Sequence, residues 1–146
     1  EIRKMEEKNL VVNNKENFVE ELKESHNVMF CTVNQDEPKA KALVFKAMNN
    51  PSNRVADYIG KTIKIKDIFV ESVDIENEET GIIDTVPRIV LFDDNNETYE
   101  AVSRGLFNAL QKLISVFGLP TYDEPIAVEI KQKAVKKGSM LTFDIV

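Results

Sequence analysis

The run Lys61-Thr62-Ile63-Lys64-Ile65-Lys66-Asp67-Ile68-Phe69 sets lysines on one side of an alternating pattern, with an aromatic ring close behind. Cations strung along a groove neutralise phosphates and release counterions, which makes affinity fall steeply with salt. An aromatic face stacks any base, at about 1–3 kcal/mol each, and so binds single strands without reading their sequence. On this chemistry the candidate nucleic-acid contacts are Lys39, Lys41, Lys46, Arg54, Tyr58, Lys61, Lys64, Lys66, Phe69, Arg88, Lys136 and Lys137. Lys131 and Lys133 are further candidates for charge, and Phe45, Phe92 and Tyr122 for stacking. Each has a plainer alternative. Lysines on strand faces are usually only solvated, Phe45 and Phe92 read better as core, and Phe69 could lie beneath a loop. The set carries the reading, not any one member.

Other chemistries find little support. There is no glycine loop that cradles phosphate, no nucleophile elbow and no zinc-spaced His/Cys set. The acidic run Asp93-Asp94-Asn95-Asn96-Glu97 lacks the ligand spacing and glycine of a calcium loop and reads as a turn. Cys31, the only cysteine, sits in the apolar run Val28–Val33 and reads as a buried, inert thiol. No catalytic residue, metal or cofactor is expected. A carboxylate-and-metal nuclease is the enzyme reading left open, and magnesium-dependent degradation of oligonucleotides would reveal it.

A net charge of −6 argues against a polyanionic partner until its distribution is considered. Residues 71–100 hold ten acidic side chains and one basic, whereas residues 28–70 hold seven basic and four acidic. Most of the negative excess therefore lies in one stretch, and the remainder can present a basic groove. The length of 146 residues suits one domain with its own core. No apolar run approaches the ~20 residues of a membrane span, no signal peptide is visible, and a cytoplasmic location is expected.

The elements that must position these residues follow from periodicity. Asn14 to Glu24 suits a short helix within an N-terminal arm, residues 1–27, that packs on the domain or reaches another subunit. Strands are expected at about 28–33 and 40–47, followed by the loop Asn49–Asn53 and one helical turn over Arg54–Ile59. The long strand from Lys61 to Ile75 changes phase at Asp67: Ile63 and Ile65 point inward before it, Ile68 and Val70 after it. A bulge there would bend the strand and put Phe69 on the outer face with Lys64 and Lys66. Ile82 to Asp93 pairs with that strand, and Pro87 requires an edge or bulge. Ser103 caps a helix over 104–117, whose stripe is Leu106, Leu110, Leu113 and Phe117, and Gly118 stops it. A hairpin with a basic tip closes the chain, its inward residues being Ile126, Val128 and Ile130, then Leu141, Phe143 and Ile145.

This order predicts an all-β domain with one main helix over residues 28–146: a five-stranded OB-fold Greek-key barrel with the helix between strands three and four. In that fold ligands lie across strands two and three. Gly60-Lys61-Thr62-Ile63, Val90-Leu91-Phe92-Asp93, Tyr99–Ser103 and Lys137-Gly138 also resemble the small single-stranded-DNA-binding proteins of protein-primed phages, and OB-fold binders of conjugative plasmids. The resemblance spans roughly four-fifths of the chain. It implies coating and protection of single-stranded DNA, without sequence preference, during replication or conjugative transfer. It also implies self-association along the strand, with the N-terminal arm as the link. The chain closes on Thr142–Val146 without an acidic tail, so recruitment of partners through such a tail is not expected. The alternative is an OB-fold protein-interaction module whose acidic 71–100 stretch makes the contact; it would ignore oligonucleotides at low salt.

Overall fold

The inward pairs on either side of Asp67 belong to two different sheets. Strand β3 (Thr62–Ile65) pairs antiparallel with β7 (Ile126–Val135), which pairs with β8 (Gly138–Ile145). One residue on, β4 (Asp67–Glu76) pairs with β5 (Ile83–Phe92). Lys66 is the crossing point: its N–H donates to the Phe92 carbonyl, and its carbonyl accepts from the Tyr122 N–H. The phase change is thus a bend that carries one continuous run from sheet to sheet. The computed structural model describes residues 29–136 and 138–146. The N-terminal arm and its short helix lie outside the described residues, as does Lys137.

The larger sheet has the order β1-β4-β5-β6-β2, with β1 at Met29–Cys31, β2 at Asn53–Arg54 and β6 at Thr98–Val102. The smaller has the order β3-β7-β8. Their inner faces close on one core in a barrel-like, mostly-β fold: Phe30, Ile68, Val70, Ile89 and Leu91 from the first, Ile63, Ile65, Val128 and Ile130 from the second. Burying each such side chain contributes about 1.5–3 kcal/mol. Pro87 lies where β6 has ended, its carbonyl accepting from the Ser103 N–H, so its missing donor leaves no gap in a ladder.

The helix α2 (Arg104–Phe117) closes this core with Leu106, Leu110, Leu113 and Ile114. Ser103 Oγ accepts from the Leu106 N–H at 3.0 Å, and Gly118 follows at φ +84°, a conformation only glycine adopts without strain. Gly105 lets the helix lie directly on β8. A Cβ there would collide with the Leu141 carbonyl and stand 3.1 Å from Met140 Sδ. Gly105→Ala is expected to destabilise the protein by about 1–3 kcal/mol, through overpacking, as a lower denaturation midpoint.

One expected strand is a helix. Residues Pro38–Asn49 form α1, with proline in the first turn. Pro-Lys-Ala-Lys-Ala-Leu-Val-Phe-Lys-Ala-Met-Asn is rich in helix formers, and Leu43, Val44, Ala47 and Met48 make a narrow stripe at helical spacing. The short apolar run Ala42–Phe45, which suggests a strand, is outweighed by that propensity. The stripe packs on the outer face of the larger sheet, closing a second cluster of Val44, Ala47, Cys31, Phe69, Val90 and Phe92. Burial there pushes the Cys31 thiol up to about 11, so it stays protonated and inert at neutral pH.

Candidate nucleic-acid interface

Where α1 meets the β3–β4 crossing there is a groove of about 590 Å³. Lys39 and Lys46 are seven residues apart, two helical turns, and so share a side of α1. Lys66 faces them from the crossing, over a floor that includes Leu43 and Phe92. Among the described residues none of these three ammoniums pairs with a carboxylate. Two carboxylates also line the groove, but both are engaged. Asp67 Oδ1 accepts from Thr32 Oγ1 at 2.8 Å and from Thr121 Oγ1. Asp93 Oδ2 accepts from the Tyr99 hydroxyl at 2.8 Å, while its Oδ1 takes the N–H groups of Asn95 and Glu97. The Tyr99 phenol is pushed far above its ordinary value, by burial first and by this bond to Asp93 second.

A second group lies around the 3-10 turn Val55–Tyr58. The Tyr58 ring packs edge-on against Tyr99, with centroids 5.0 Å apart, and its hydroxyl donates to Asn53 Oδ1. Lys61 Nζ sits 5.6 Å from the Tyr58 ring centroid. Beyond it, Lys64 points outward from β3 opposite Ala127. Arg54 is exposed beside Glu100 and Leu141, and Lys136 is exposed at the β7–β8 turn.

Several placements differ from expectation. Phe69 is 1% exposed: the phase change at Asp67 does turn it to the outer face, but α1 covers that face. It is core, not a platform. Arg88 is enclosed by its own ladder neighbours, its Nη1 2.8 Å from Glu71 Oε2 and its Nε 2.7 Å from Glu100 Oε1. That charge is neutralised within the sheet. Phe92 and Tyr122 are buried, as is Tyr99. Phe45 has the opposite fate. It stands 66% exposed on α1, one turn from Lys41 and next to Lys46. Read as a helix, the segment would have shown this, because Phe45 falls outside the stripe that the other apolar residues share.

The hairpin part of the acidic stretch lies away from these cations, whereas Asp93 lines the groove and Asp94 and Glu97 follow it in the same turn. Asp67 begins β4 beside the groove, and Glu76 ends it at the hairpin tip, about 30 Å away at the rise of an extended strand. That is roughly three screening lengths at moderate salt. Among the described residues there is no cluster of three or more His, Cys, Asp or Glu placed to hold a metal, and no helix long and apolar enough to cross a membrane.

A mostly-β domain that exposes cations and aromatic rings on the outside of its barrel has the make-up of a polyanion-binding module. Residues 23–145 match the family model of the phage single-stranded DNA-binding proteins, and the chain belongs to that family. Comparisons with curated proteins and with solved structures returned no match.

Proposed function

We propose that this protein coats single-stranded DNA without sequence preference during phage DNA replication. The observation that carries the reading is the grouping of Lys39, Lys46 and Lys66, without carboxylate partners among the described residues, on and against a helix that also exposes Phe45. In this reading phosphates follow the lysine groove while Phe45 stacks a base from outside. Tyr58, Lys61 and Lys64 extend the track along β3, where a base on the Lys61 side of the Tyr58 ring would displace that ammonium. Lys41, Arg54 and Lys136 contribute more diffuse attraction. Read as a five-stranded OB-fold, the bent run β3–β4 would be strand one, β5 and β6 strands two and three, α2 the helix between strands three and four, and β7 and β8 the last two. The family match is to phage proteins, so replication is carried forward here and conjugative transfer is not.

Fluorescence anisotropy of a labelled oligothymidine, about 30 nucleotides and so longer than one barrel's site, tests this beside a duplex of equal length. Tight, salt-sensitive binding that prefers the single strand is the expected result; no binding at low salt would overturn it. In the same assay Phe45→Ala is expected to weaken binding by about 1–3 kcal/mol, the contribution of one stacked base. Its melting temperature should hold, because the ring is mostly solvated.

A further inference from the structure

The β4–β5 hairpin runs past the barrel, its last residues on each strand exposed. Its turn is fixed: Asn77 exchanges backbone bonds with Gly81 and Ile82, and its Oδ1 accepts the N–H groups of Glu79 and Thr80. The tip shows solvent two kinds of side chain. Ile75, Ile82 and Ile83 are apolar and exposed, Ile82 at 65%, and Glu76, Glu78 and Glu79 pair with no cation among the described residues. Between Glu71 and Pro87 there is no basic residue at all.

A surface of the opposite character lies between α2 and the edge strand β8, a groove of about 610 Å³. Its apolar end is made by Val116, Phe117 and Ile145, with Val116 77% exposed. Lys112, Lys131 and Lys133 line it. Its one carboxylate, Asp144, is 3.8 Å from Lys131, while Lys112 and Lys133 have no ionic partner among the described residues.

We propose that the hairpin tip of one copy docks in the α2–β8 groove of a second copy, isoleucines against the apolar end and glutamates against the lysines. The tip cannot fill that end within its own chain. Arg104, in the first turn of α2, pairs with Asp84 at the hairpin's shoulder, whereas Val116 and Phe117 are in the last turn, about 20 Å along the helix. Because donor and acceptor patches differ, the contact can repeat head-to-tail, giving strings of protomers that stay open unless their rotation closes them into a ring.

Sedimentation velocity of the full chain without DNA, over a wide concentration series at low salt, tests the proposal. The wild type is expected to associate progressively and to lose that association as salt is raised. Glu78→Lys with Glu79→Lys in one variant, and Lys112→Glu with Lys133→Glu in another, set like charges against each other, so each alone is expected to remain monomeric. Mixed in equal amounts, the two variants present complementary pairs again and are expected to recover association, which also shows that both are folded. A wild type that stays monomeric throughout overturns the proposal. So does association that survives both reversals, or a mixture of monomeric variants that stays monomeric.

Discussion

Replacing Lys39, Lys46 and Lys66 together with alanine is expected to weaken single-strand binding on the order of 100-fold at low salt. The sharper readout is the salt dependence. Each phosphate contact to a single strand contributes about 0.7 to the slope of log affinity against log salt, so the slope should flatten by about 2. A merely electrostatic background would behave differently, since removing any three surface cations would then have the same effect. Lys41, Arg54 and Lys136, exposed but outside both this groove and the docking groove, form the matched triple control. Equal losses in the two triples would remove the groove's special standing. Stability should be unchanged, because none of the three groove lysines holds an ion pair among the described residues.

Phe69→Ala is expected to act on stability instead of affinity. The ring is enclosed by Cys31, Val44, Ala47, Val90 and Phe92, and truncation leaves a cavity beneath α1 that the sheet cannot collapse to fill. The cost is about 3–5 kcal/mol, which for a domain of this size lowers the melting temperature by about 10–20 °C. At a temperature where the variant stays folded, its affinity for oligothymidine should fall only as far as α1 shifts, well short of the loss from Phe45→Ala. A Phe69 variant that melts normally but binds poorly would show that the ring leaves its pocket to meet DNA.

These two expectations turn on one helix, and so does most of what the sequence left hidden. The α2 segment was legible because three signals agree: the Ser103 cap, a stripe from Leu106 to Leu113, and Gly118 at its end. The closing hairpin was legible from the alternation of its two strands, although Ile145, expected inward, is half exposed. The phase change at Asp67 was also visible, though not that it moves the chain between sheets, since that depends on which strand each half pairs with. The α1 segment is short, and its continuous apolar run Ala42–Phe45 looks like a buried strand when read locally. Taking it for a strand left the outer face of β4 uncovered, so Phe69 looked like a platform while Phe45 looked like core. One misassigned element thus exchanged the roles of two phenylalanines. Arg88 was hidden for another reason. Its partners Glu71 and Glu100 lie 17 and 12 residues away, and only the ladder register brings them alongside. Strand β6 was read as a lead into α2 because only five residues separate the Asp93–Glu97 turn from Ser103.

The distance along the β4–β5 ladder between the lysine groove and the acidic tip makes each protomer an electric dipole. A polyanion approaching from afar exerts a torque on such a body before any contact forms. It swings the groove inward and the tip outward, so that encounters begin in one orientation out of many. On the proposed reading, this is how an acidic protein would be captured by an acidic polymer at a useful rate. Protomers laid down in succession would also share a heading, and the coat they form would have a front and a back.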